Sequence, residues 1–112
     1  SAPFHSELMF ESSKLFIEKN KDLKFNKVNF DLISNYKLKN YKNIPESEFI
    51  NQLSLQIYSP VMWSDTIKKI SEKGVSSFIE MGPKKTLLNF IPKNFEAEKI
   101  SITNIEDINN YV

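Results

Sequence analysis

Three short β-type runs, each set apart from the next by helical sequence, restrict how this chain can pair its strands. Val28-Asn29-Phe30-Asp31-Leu32-Ile33 alternates and ends apolar, Val75–Met81 collects β-formers, and Lys99-Ile100-Ser101-Ile102-Thr103 alternates again. Tight turns join antiparallel neighbours, whereas strands separated by helices return in the same direction. The order α-β-α-α-β-α-β-α therefore predicts an α/β fold of short parallel strands alternating with helices. Three strands is few for such a sheet, because parallel strands bury both faces and here faces and edges would stay open. Residues 1–112 are accordingly expected to be part of a single, longer domain. A lone copy is expected to be marginal or to self-associate through its open edges.

The helical stretches follow from their apolar stripes. Leu8, Met9, Ser12, Leu15, Phe16 and Lys19 share a 3.6-residue stripe that starts at Ser6 and stops at Asn20-Lys21-Asp22. Pro45-Glu46 opens a second helix with Phe49, Ile50, Leu53 and Ile57 inward. Ser59-Pro60 reads as a restart, with Ser as N-cap and Pro in the first turn. The inward stripe of that third helix is Trp63, Ile67 and Ile70, and Lys73-Gly74 is its stop. Gly82-Pro83 leads into a short helix carrying Leu87, Leu88, Phe90 and Ile91, and Asn104 caps a last turn with Ile105, Ile108 and Tyr111. Ser34–Asn43 has no periodicity and reads as a loop.

Composition removes several classes of function. The absence of Cys excludes disulfides, Cys-ligated zinc and thiol nucleophiles. A single histidine, His5, excludes a multi-His metal site, and no metal or other cofactor is implied. Fifteen basic residues, every one Lys, face 14 acids for a net charge of +1. That balance gives no case for a nucleic-acid or membrane partner. Without Arg the chain has no guanidinium fork for carboxylates or phosphates. With only Gly74 and Gly82 it has no glycine-rich phosphate loop either.

His5 is the one candidate for acid–base chemistry near neutral pH. A lone histidine is more often solvated or structural than catalytic, but this one lies between Pro3-Phe4 and the start of a helix. A carbonyl on one ring nitrogen would fix the tautomer there and leave the other nitrogen free to accept a proton. Its partner would be a hydroxyl, yet no Ser stands in a Gly-x-Ser-x-Gly turn.

Three segments carry a resemblance: Ala2-Pro3-Phe4-His5-Ser6-Glu7-Leu8-Met9, Gln56-Ile57-Tyr58-Ser59-Pro60-Val61-Met62-Trp63 and Phe78-Ile79-Glu80-Met81-Gly82-Pro83-Lys84-Lys85-Thr86-Leu87. In order and spacing they resemble the C-terminal part of the malonyl-CoA:acyl carrier protein transacylases and the acyltransferase domains related to them. The resemblance implies the C-terminal fragment of an α/β-hydrolase-like acyltransferase large subdomain. It implies malonyl-CoA and acyl carrier protein as partners, with transfer through a seryl intermediate in fatty acid biosynthesis. It matches His5 to the family's general base and Gln56 to the residue whose backbone carbonyl orients the ring. Phe4 matches the bulky position that favours malonyl over branched substrates. The serine, the malonate-clamping arginine and the ferredoxin-like subdomain of that family have no counterpart in these residues, so the 112 residues alone are expected to be inactive. A cytoplasmic or plastid-stromal setting fits the resemblance. The rival reading is a non-enzymatic docking or scaffold module, in which exposed Lys84, Lys85 and Lys93 meet an acidic carrier protein.

Overall fold

The computed structural model describes residues 2–111, which fall into two compact units, Ser1–Thr66 and Ile67–Val112. In the first, a 3-10 turn at Glu7–Met9 runs into helix α1, Phe10–Asn20, which packs against helix α2, Phe49–Tyr58. Small residues let the two helices approach. Ser13 on α1 and Ser54 on α2 are buried, and their hydroxyls donate to the Phe10 and Asn51 carbonyls one turn back, so neither burial leaves an unpaired polar group. The inward face of α1 is thus Met9, Ser13, Phe16, Ile17 and Asn20. That face is rotated away from the expected stripe, and Leu8 and Leu15 remain exposed at 81% and 52%.

The Val28–Ile33 run is not a strand. Within it only Ile33 pairs, through an isolated antiparallel bridge to Asn40. Lys37 and Leu38, both at positive φ (54° and 49°), reverse the chain between them. Two successive left-handed residues are the geometry of a tight hairpin turn, usually signalled by Asn-Gly. Here Lys-Leu occupies it, which is why the sequence reads as a plain loop. The remaining backbone groups find local partners: Ser34 N–H donates to the Lys39 carbonyl (2.8 Å), Tyr41 N–H to the Leu32 carbonyl (2.9 Å) and Leu32 N–H to Asn40 Oδ1 (3.3 Å). The segment pairs with its own return and joins no sheet among the described residues.

Tyr41 then opens a 3-10 turn, Tyr41–Asn43, and a second such turn, Glu46–Glu48, feeds α2. Tyr41 and Phe49 are the buried centre of the unit. Their rings meet edge-on with centroids 5.0 Å apart, and Phe25 lies 5.5 Å from Phe49 on another side. Such pairs add about 0.5–1.5 kcal/mol each beyond the area they bury.

Helix α3, Trp63–Ser71, starts three residues later than Ser59-Pro60 suggested. Ser59 instead caps the end of α2, with its N–H on the Leu55 carbonyl at 3.1 Å. Ile67 is buried, with Trp63 and Ile70 half-buried. Gly74 stops the helix at φ 73°, with its N–H on the Ser71 carbonyl.

In the second unit β1, Ser77–Met81, pairs in parallel with β2, Glu98–Ile102, in the register Ser77↔Glu98 to Met81↔Ile102. Sheet order β1-β2 makes two strands, not the expected three, among the described residues. The crossover is a 3-10 turn, Leu88–Phe90, in place of a short helix. Leu88 and Ile91 are buried there, while Leu87 and Phe90 are exposed. Helix α4, Ile105–Tyr111, follows, with the Asp107 N–H on Asn104 Oδ1 (3.0 Å) as the expected cap. Ile105, Ile108 and Tyr111 are exposed, as are Ile79 and Met81 on β1. A parallel pair with bare apolar side chains is a sheet surface without its covering layer.

Candidate functional site

His5 is held by the end of α2. A helix leaves its last carbonyls without intrahelical donors, and two carbonyls at this end bind the same residue. His5 N–H donates to the Ile57 carbonyl at 2.8 Å, and ring Nδ1 lies 3.1 Å from the Ser59 carbonyl. A carbonyl only accepts, so Nδ1 carries the proton in this contact, and in the neutral ring Nε2 then presents its lone pair. Backbone and ring are thus both held by the end of α2.

The grip uses a strained backbone. His5 has φ 64°, in the left-handed region that histidine visits more readily than most side chains. That conformation costs about 1–2 kcal/mol, and two hydrogen bonds of about 1 kcal/mol each offset it. Around it, Ser6 Oγ donates to the Pro3 carbonyl (2.7 Å) and Phe4 N–H to the Ala2 carbonyl (2.9 Å), closing the turn that presents the ring.

The ring's acceptor is Ser59, and this corrects the expectation for Gln56. The bonds that Gln56 makes are side-chain ones: Nε2 donates to Tyr41 Oη at 2.9 Å, and Oε1 accepts the Asn35 N–H at 3.2 Å. The physical reason lies in Pro60. A residue before proline is pushed into extended backbone, and Ser59, at φ −97° and ψ 148°, leaves the helix there. Its carbonyl is the one that turns toward the ring. That signal was present in the Ser59-Pro60 pair, but the pair reads equally well as a helix start.

Sequence reasoning also missed Ile57 and Tyr41. A backbone acceptor has no side-chain signature, and Tyr41 sat in a stretch without periodicity. Burial pushes the Tyr41 phenol above its ordinary range, against the hydrogen bonds from Gln56 and Ser34. Phe4 is 58% exposed. Beside Gln56 a mostly apolar cavity of about 430 Å³ is walled by Phe25, Leu32, Ile33, Tyr41, Phe49 and Leu53. In the second unit Lys85, Lys93 and Lys99 line a groove of about 280 Å³ with Asn89 and Ser101, and Lys84 does not line it. Among the described residues no cluster of His, Asp and Glu is fit to hold a metal ion, and no helix is long and apolar enough to cross a membrane.

This combination of short parallel strands and helices is the fold of a segment of the acyl carrier protein malonyltransferases. The solved enzyme from Vibrio cholerae superposes with a TM-score of 0.86 at 25% identity, over 100% of this chain and 36% of that one. The solved transacylase from Coxiella burnetii gives 0.87 at 25% identity, over 100% and 35%. In sequence, the chain is 30% identical over 112 residues to the malonyl CoA-acyl carrier protein transacylase of Buchnera aphidicola subsp. Schizaphis graminum, covering all of this chain and 34% of that relative. The chain therefore spans about a third of the length of the curated relatives it matches. No protein-family profile matches it. The resemblance to a segment of the malonyl-CoA:acyl carrier protein transacylases, read from three motifs, is borne out across the whole chain.

Proposed function

We propose that these residues supply the general base of a malonyl-CoA:acyl carrier protein transacylase. In this reading His5 Nε2 takes the proton from a serine hydroxyl as its oxygen attacks the malonyl thioester. The C–S bond breaks, coenzyme A leaves as the thiol after receiving the proton, and a malonyl-serine ester remains. The phosphopantetheine thiol of acyl carrier protein then attacks the ester, His5 again relays the proton, and the serine is regenerated. Neither the serine nor an arginine for the free malonyl carboxylate occurs in a suitable setting among these 112 residues, so both roles fall to other parts of the acting enzyme. Phe4, next to the base, is assigned to acyl selection, a preference worth about 1–3 kcal/mol per methylene. The lysine groove at Lys85, Lys93 and Lys99 suits an acidic carrier protein by charge.

One observation supports this reading above the others: the ring has Nδ1 committed to the Ser59 carbonyl and Nε2 left for chemistry. The test is malonyl transfer from coenzyme A to acyl carrier protein by the full-length protein carrying this chain. His5→Ala is expected to lower the rate by ~10²–10⁴. A near-normal rate overturns the assignment. A wild-type protein that binds carrier protein without transferring malonyl favours the docking module instead.

A further inference from the structure

We infer that the Gln56 side chain and the Tyr41 hydroxyl are positioning residues that hold His5 in its Nδ1–H tautomer. The inference rests on the reading of His5 as the proton-transfer group, and it assigns Gln56 a side-chain role in place of a carbonyl one.

A chain of bonds brackets the two acceptors of His5. Those acceptors, Ile57 and Ser59, occupy a three-residue stretch at the end of α2. On its N-terminal side Gln56 Oε1 accepts the N–H of Asn35. On its C-terminal side Met62 N–H donates to the carbonyl of that same Asn35 at 2.9 Å. One residue of the loop therefore fastens both flanks of the stretch that grips the histidine. The loop in turn is fastened to the core. Gln56 Nε2 donates to Tyr41 Oη, and the Tyr41 ring is buried edge-on against Phe49. Ser34, also buried, closes the turn through its N–H to Lys39 and its hydroxyl to the Tyr36 carbonyl. The Ser34 hydroxyl also reaches Tyr41, but Gln56 is the one on α2 that ties Tyr41 and the loop backbone to the stretch that holds His5.

Truncating the amide breaks two bonds at once. The Asn35 N–H then loses its partner, and the Tyr41 hydroxyl, at the same 430 Å³ cavity, keeps only its hydrogen bond with Ser34. The turn carrying the Ser59 carbonyl is then tied to the loop through Met62 and no longer through Gln56. The distance from that carbonyl to Nδ1 then ceases to be fixed, and the Nε2–H tautomer gains population.

Nitrogen-15 NMR of the His5 ring in the full-length protein, assigned by the loss of its signals in His5→Gln, reports the tautomer. For the wild-type chain at neutral to mildly alkaline pH, the Nδ1–H form is expected to dominate. In Gln56→Ala the Nδ1–H to Nε2–H ratio is expected to fall by roughly threefold to tenfold, the span of one lost hydrogen bond. Tyr41→Phe keeps the ring and removes one bond, so a smaller fall in the same direction is expected; it decides the matter if Gln56→Ala does not fold. Phe16→Ala, which thins the half-buried face of α1 away from the bracket, serves as the control for general loosening. Unchanged ratios in Gln56→Ala and Tyr41→Phe overturn the inference, as does a Phe16→Ala shift as large as theirs. If the ring behaves as expected and the full-length protein transfers no malonyl, the functional reading falls and the positioning role stands.

Discussion

The two units solve the same problem, pairing backbone groups outside regular structure, with different chemistry. In the first unit the bracket around His5 is made of neutral partners: the Gln56 amide, the Tyr41 hydroxyl and backbone carbonyls. In the second, two carboxylates do the equivalent work. Glu80 on β1 accepts the N–H groups of Thr86 and Leu87 on Oε1 and of Leu88 on Oε2, at 2.9–3.1 Å, and so fastens the start of the crossover. Asp107 accepts both the N–H and the hydroxyl of Thr103 at the entrance to α4. The difference places the groups that titrate in acid away from the bonds that hold the histidine. Neutral partners keep their hydrogen bonds over the acid range in which carboxylates lose theirs.

The largest way to break this comparison is in the cores. Phe49 is 4% exposed and touches both Phe25 and Tyr41, so Phe49→Ala is expected to cost about 3–5 kcal/mol. Leu88→Ala, at a less enclosed site of the second unit, is expected to cost nearer 2 kcal/mol. Denaturant melts of the two variants check the order. A larger loss for Leu88→Ala would mean that the aromatic cluster is not the stronger of the two cores.

A smaller effect isolates backbone geometry from packing. Gly74 sits at φ 73°, and an added Cβ would meet nothing within 4 Å. Gly74→Ala therefore carries only the cost of the left-handed conformation, about 1–2 kcal/mol. His5 tolerates nearly the same dihedral because two hydrogen bonds hold it, so His5→Gly is expected to be close to neutral for stability while abolishing proton transfer. A stability gain comparable to the Gly74→Ala loss would show that the strain at His5 is not offset.

These contrasts also explain what the sequence disclosed. The second unit was legible nearly throughout: the strands at Ser77–Met81 and Glu98–Ile102, the Gly74 stop and the Asn104 cap each carry their own local signal. The first unit was legible in its helices and in His5, but not in the loop that supports them. Val28–Ile33 alternates like a strand but meets no partner strand among the described residues, and the turn at Lys37-Leu38 lacks the residues that usually mark one. The exposed Leu8, Leu15, Ile79, Met81, Ile105 and Tyr111 sit on stripes that patterning assigns to a core. Patterning records which faces are apolar; it does not record which neighbour covers them. Ser59 was missed for a third reason, since a backbone acceptor is specified by where the helix ends.

The smallest expected effect follows from the charges themselves. Hydrogen bonds from the Leu88 and Leu87 N–H groups hold the Glu80 carboxyl below its ordinary value of 4.5, and those from Thr103 hold Asp107 below 3.8. A carboxyl depressed in the folded state contributes its full stability above the unfolded value and loses it as pH falls through the folded one. Stability supplied by the second unit's caps is therefore complete above about pH 5 and declines below about pH 4. Tyr41 has the opposite sign. Its phenol is raised above 10.0 by burial, so its contribution is complete below that value and is lost as pH climbs through the raised one. Melting temperatures followed from about pH 7 down to about pH 3 should fall less steeply for Glu80→Gln and Asp107→Asn than for the wild type. Tyr41→Phe should leave that acid limb unchanged and flatten only the alkaline one. An acid limb that survives both carboxylate substitutions would mean that these caps are not what distinguishes the second unit. The neutral bracket around His5 would then need another explanation.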